Sequence, residues 1–142
     1  MAIPFLACMA SVAAFYHLPP RVLPSIHAVE GGAPGVIHIN RDGSQDLGVM
    51  QVNTRWLQPL GQVARLPPQV VRTRLIGDPC FNIAAAGAIL RYYLDEARGD
   101  LMLGVGYYHS HAPVPNQEYQ AKVLGAAHVL FSAGKRTTGN RG

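Results

Sequence analysis

Residues 22–32 read VLPSIHAVEGG: an apolar helical stretch from Val22 to Val29, then Glu30, then Gly31 and Gly32. Paired glycines stop a helix, so the spacing puts Glu30 on the last turn. A carboxylate at the end of an apolar helix, facing a cleft, loses water around its charged form. Its proton affinity then rises toward that of a general acid near neutral pH. The competing reading is a helix-end carboxylate in solvent. The other seven of the eight acidic residues lie in polar or turn-like surroundings, which makes Glu30 the candidate acid.

Outward from that stretch, the 142 residues suit one domain, expected over 1–134 with a basic tail over 135–142. The apolar fraction of 49% against 14% charged residues argues for a packed core. A net charge of +4 is scattered, with no dense basic run before Lys135, so nucleic acid is not expected as a partner. Cys8 and Cys80 are too few for a structural zinc site and form no C-x-x-C motif. A long-range disulfide and two free core thiols both fit. Their helical positions favour the disulfide, which implies an oxidising compartment. Met1 to Phe15 is apolar without a basic n-region, so it is expected to be a first amphipathic helix with any export signal absent. No segment is long enough to span a membrane.

Helices are expected over Phe5 to Tyr16, from Pro20 to Glu30, around Trp56 and Leu57 with breaks at Pro59 and Gly61, and over Gln69 to Ile76. Asp78-Pro79 caps the helix expected to be longest and most buried, Cys80 to Ala97. Asp100 caps a helix toward Tyr108, and Asn116 caps one over Gln117 to Ala133 that ends at Gly134. Between residues 36 and 53, Val36, Ile37 and Ile39 suggest a strand, Asp42-Gly43 a turn, and Val49 to Asn53 a returning strand. The fold class is α+β, mainly helical.

Four signals occur in order: Glu30 with Gly31-Gly32, Asp46-Leu47-Gly48-Val49-Met50-Gln51-Val52-Asn53, Asp78-Pro79-Cys80-Phe81-Asn82-Ile83, and Gly106-Tyr107-Tyr108-His109-Ser110. Together they resemble the specialised lytic transglycosylases, lysozyme-like murein-cleaving enzymes that accompany secretion, conjugation and pilus machines. The resemblance covers about residues 5 to 130. It implies a lysozyme-like fold with a cleft beside the β region, a periplasmic setting, peptidoglycan strands as substrate and components of such machines as possible partners. It also implies a Cys8–Cys80 cystine. The catalytic glutamate of the family falls on Glu30, its G-L-M-Q-I-N element on Gly48 to Asn53, and its tyrosine on Tyr108, with Tyr107 a one-residue rival. Gly31 stands where the family usually has serine.

Beside the resemblance, each residue type has its own chemistry. Gly48 admits close approach of a sugar or a positive φ. Met50 can floor a sugar site or fill the core. Gln51 and Asn53 can hydrogen-bond acetamido and hydroxyl groups or brace the β region. Tyr108 can donate to Glu30 or pack. Trp56 reads as core before sugar platform, and Asn82 as an organiser of the fold. His109 and His111 make a poor metal site without an acidic cluster, so no metal or cofactor is assigned. Two rival functions follow from the same residues. One is hydrolysis with Asp46, or less suitably Asp42, positioning water; the other is a non-catalytic wall-binding module.

Overall fold

The computed structural model describes the backbone of residues 2–139 and the side chains of residues 2–132. Among the described residues, seven helices accompany a small antiparallel sheet: α1 (Leu6–Phe15), α2 (Val22–Glu30), α3 (Leu57–Ala64), α4 (Pro68–Gly77), α5 (Pro79–Glu96), α6 (Leu101–His109) and α7 (Pro113–Gly139). Strands β1 (Ile37–Ile39), β2 (Gln45–Leu47) and β3 (Val52–Asn53) lie between α2 and α3 in spatial order β1-β2-β3. This is the mainly helical α+β architecture expected, with the sheet beside the end of α2.

Helix α5 is the centre of the packing, touching α1, α4 and α6. Ile83, Ala86, Ile89, Leu90 and Leu94 face a core shared with Met9, Leu23, Ile26, Met50, Val71, Leu75 and Val105. Its start is fixed as the sequence predicts: Asp78 accepts from the Phe81 backbone N–H at 3.1 Å and Pro79 opens the first turn. Asp100 caps α6 in the same way, accepting from Leu103 at 3.2 Å. A disulfide joins Cys8 on α1 to Cys80 on α5, with Cα atoms 5.5 Å apart.

The β region departs from expectation. Asp42 accepts from the Ser44 backbone N–H at 2.9 Å and Gly43 takes a φ of +85°, which reverses the chain at once. Ile37, His38 and Ile39 therefore pair with Leu47, Asp46 and Gln45. The returning strand is Gln45–Leu47, a polar segment of low strand propensity, and only Val52–Asn53 of the expected strand survives, as the third. Pairing dictated by the turn overrides propensity here.

Other boundaries shift for local reasons. Pro59 and Gly61 do not interrupt α3, because Pro59 is its third residue, where a missing N–H costs no intrahelical bond. Asn53, not Thr54, caps the single 3-10 turn over Thr54–Trp56, accepting from Arg55 at 2.9 Å. Asn116 is a buried residue inside α7, not its cap, and α7 begins at Pro113. At 27 residues α7 exceeds α5 and continues through Gly134 into the expected tail as far as Gly139. Residues 140–142 of that tail lie outside the described residues.

Candidate active site

Glu30 ends α2 because Gly31 adopts a left-handed φ of +69° and returns its N–H to the His27 carbonyl at 2.8 Å. The next residue, Gly32, is buried against the carbonyls of Gly48 and Val49, and a Cβ there would overlap both. His27 Nε2–H donates to the Gly32 carbonyl at 2.9 Å. The end of α2 is thus clamped onto the loop that joins β2 to β3.

That loop is held in turn by Asn82 on α5, which is fully buried. Its Oδ1 accepts from the Met50 N–H, and its Nδ2 donates to the Leu47 and Leu75 carbonyls, all at 2.8 Å. Gly48 has a φ of +69°, and a Cβ on it would overlap the Leu75 carbonyl. Its small size therefore serves backbone packing against α4, not contact with a ligand. Met50 is 0% exposed, so its side chain belongs to the core and cannot form the floor expected of it.

A cleft of about 250 Å³ opens between the sheet and the helices, with Glu30 at its edge. Gln51, Asn53 and Tyr108 line it, together with Asp46, Trp56 and His109. Asn53 donates to Asp46 Oδ1 at 2.9 Å and to Ser44 Oγ at 3.1 Å, so one wall is a polar network. A second opening of about 190 Å³, bounded by Pro115, Glu118 and Lys122, also reaches Glu30 and His109. Two openings therefore border the carboxylate. Tyr107 lies outside both openings, stacked on His111 with ring centroids 4.2 Å apart.

The hydroxyl that bonds Glu30 is not the expected one. Tyr108 donates to the Met50 carbonyl at 3.0 Å, because the end of α6 faces the β2–β3 loop. Tyr119 on α7 instead donates to Glu30 Oε2 at 2.6 Å and is almost fully buried. Its position depends on close contact of α6 with α7: Gly106 leaves room for the Asn116 carboxamide, which donates to the Ser110 carbonyl at 2.9 Å. His109 stacks on Tyr119 with centroids 4.9 Å apart. Sequence reasoning passed over Tyr119 because it lies 89 positions from Glu30 in an ordinary helical segment. The available signal was a tyrosine on a buried helix face, whose hydroxyl needs a partner.

Burial holds the Glu30 proton affinity above the ordinary carboxylate value. The Tyr119 hydrogen bond opposes this, the Asp46 charge adds to it, and Lys122 opposes it. Desolvation wins. Tyr119 and Tyr108 are themselves pushed up, chiefly by burial and then by the Glu30 charge, so both remain hydrogen-bond donors. Asp42 is held below the ordinary value, first by the Ser44 hydroxyl, and is the poorer proton donor. His111 pairs with Glu96 at 2.8 Å while His109 stacks on Tyr119, so the two histidines do not converge.

A helix-end carboxylate of raised proton affinity, bordered by two openings and beside a small sheet, agrees with what sequence comparison finds. Residues 7–126 match the profile of the family described as Transglycosylase SLT domain. The chain belongs to that family. SLT-domain proteins are lysozyme-like lytic transglycosylases that act on peptidoglycan. This SLT chain is also similar to the invasion protein IagB of Salmonella typhimurium and of Salmonella typhi, at 30% identity over 84 residues, or 58% of this chain and 49% of each relative. It spans about half the length of the curated relatives it matches. No helix among the described residues is long and apolar enough to cross a membrane.

Proposed function

We propose that this chain is a periplasmic lytic transglycosylase that cleaves the β-1,4 bond between N-acetylmuramic acid and N-acetylglucosamine. The observation that carries the reading is Glu30: half-buried, raised in proton affinity and bonded by Tyr119, at the meeting of two cleft arms. Protonated Glu30 donates to the glycosidic oxygen as the bond to the anomeric carbon breaks. The resulting carboxylate removes the proton from the muramoyl C6 hydroxyl, whose oxygen attacks the anomeric carbon of the same ring. A 1,6-anhydro product forms without water. Attack from within one sugar gains from proximity, so no second carboxylate is needed as nucleophile. Tyr119 orients the reacting oxygen; Gln51 and Asn53 face the sugars. Tyr108 holds the loop between them.

Hydrolysis of the same bond is the second reading, because Asp46 lines the cleft and its charge reaches Glu30. Its carboxylate is already engaged by Asn53, which favours a role in shaping the wall. The reaction would serve local opening of the wall for an envelope-spanning secretion, conjugation or pilus machine. The ordered motifs and the partial likeness to an invasion protein support that role. Mass spectrometry of products from purified murein tests the reaction. Anhydro-muropeptides that vanish in Glu30→Gln are expected; reducing-end products would make it a muramidase, and wall binding with no product from either protein would make it a binding module.

A further inference from the structure

Beside the catalytic cleft lies a depression of about 400 Å³ that does not touch Glu30. Arg55 and Trp56 line both spaces and form the ridge between them. Its wall is aromatic: Trp56 meets Tyr92 edge-on at 6.0 Å and Tyr93 at 5.8 Å, and Tyr92 is 62% exposed. At the far end Glu96 pairs with His111 at 2.8 Å. The Arg55 side chain is exposed and makes no ion pair among the described residues.

A bare glycan strand has little use for this space. The two openings that share Glu30 already give a strand room beside the carboxylate, and a bare strand offers only the lactyl carboxylate held close to the muramoyl ring and no cation for Glu96. A peptide stem differs in both respects. It branches from the 3-position of muramic acid, off the line of the strand, and carries free carboxylates and, where it contains a diamino acid, an ammonium group. Charge and direction together single it out.

We propose that the pocket between Arg55 and Glu96 binds the peptide stem of the muramoyl residue in the cleft, with Arg55 taking a stem carboxylate and Trp56, Tyr92 and Tyr93 packing along the stem. Glu96 faces the ammonium group of its diamino acid. This rests on the peptidoglycan reading above. Arg55 suits the task because its planar fork can pair with both oxygens of a carboxylate. Its placement is fixed from the backbone, where Arg55 N–H donates to Asn53 Oδ1 at 2.9 Å.

Trp56 is the only tryptophan in the chain, so its fluorescence reports on the ridge alone. The Glu30→Gln protein, which cannot turn over, is titrated with a soluble tetrapeptide of alanine, γ-linked glutamate, diaminopimelate and D-alanine. Its emission is expected to change, to change equally in the presence of saturating N-acetylglucosamine tetramer, and to require at least about tenfold more peptide after Arg55→Gln. No response, displacement of the peptide by the sugar tetramer, or equal binding by the Arg55→Gln protein would overturn the assignment. With active enzyme, Arg55→Gln is expected to lower the ratio of kcat/KM on stem-bearing strands to that on amidase-stripped strands by about tenfold. An unchanged ratio also overturns it. The titration needs no catalysis, so peptide binding without product refutes the reaction alone, and product without peptide binding refutes the stem site alone.

Discussion

Replacing Tyr119 by phenylalanine keeps the ring and removes one hydroxyl, the donor 2.6 Å from Glu30 Oε2. A hydrogen bond of that length to a carboxylate is charge-assisted and contributes roughly 1.5–3 kcal/mol. The protonated acid also accepts from Tyr119, in an ordinary bond of about 1 kcal/mol. The charged form therefore loses about 0.5–2 kcal/mol more than the neutral form, a range centred near one pH unit. The direction is fixed by the geometry: the bond lowers the Glu30 proton affinity, so its removal raises it further. Because the free enzyme must hold its proton for the first step, the alkaline limb of kcat/KM moves upward by about one unit in Tyr119→Phe. On the plateau, kcat falls because the carboxylate is less well oriented. Tyr108→Phe is the control: its hydroxyl bonds the Met50 carbonyl, so stability falls while the limb stays in place. The assay is the pH profile of anhydro-product release for the three proteins. A limb that stays put or moves down in Tyr119→Phe, with the melting temperature retained, refutes the argument.

Glu30→Gln is expected to stabilise the fold at pH 7, because the folded state binds Glu30's proton more tightly than the unfolded chain. Wild-type stability should decline as pH rises from the ordinary carboxylate value through the raised folded one, and the gap to Glu30→Gln should close in acid; equal melting curves at all pH values would contradict this. Asn82→Ala strands three buried backbone groups and should cost about 3 kcal/mol in denaturant unfolding; a loss under about 1 kcal/mol would show that the loop relaxes. Cys8→Ser should lower stability by about 4 kcal/mol under oxidising conditions, by the entropy of closing a 72-residue separation, and by far less with reductant present. Gly32→Ala drives a methyl group into the Gly48 and Val49 carbonyls, so activity should fall more than tenfold through displacement of Glu30; full activity would mean the clamp does not position it.

The helices were legible wherever a local signal fixed an end: Gly31 after Glu30, Asp78-Pro79 before α5, Asp100 before α6. They were misread where position inside the helix decides the cost. Pro59 looks like a breaker, yet in the first turn it removes no intrahelical bond. Strand β2 was illegible because Gln45 and Asp46 have no strand propensity of their own and are recruited by a turn. Glu30 could be found because an acid after an apolar helix is a local pattern. Its bond to Tyr119 joins α2 to α7 and leaves no trace in either segment alone.

The G-V-M-Q-V-N element shows why motif and role separate. Its residues divide in function along the chain: Gly48, Val49 and Met50 turn inward, while Gln51 and Asn53 face the cleft. The inward half receives Asn82 from α5, Tyr108 from α6 and Gly32 from the end of α2. With Leu75 of α4 against Gly48, four helices thus meet on one loop, and that loop carries a wall of the cleft. A side chain at Gly48 would push the wall away from α4, and a small residue at Met50 would empty the core beneath it. The spacing between Glu30 and the polar wall is set by these buried contacts, so substitutions that never meet substrate should lower turnover by moving the acid relative to the sugar.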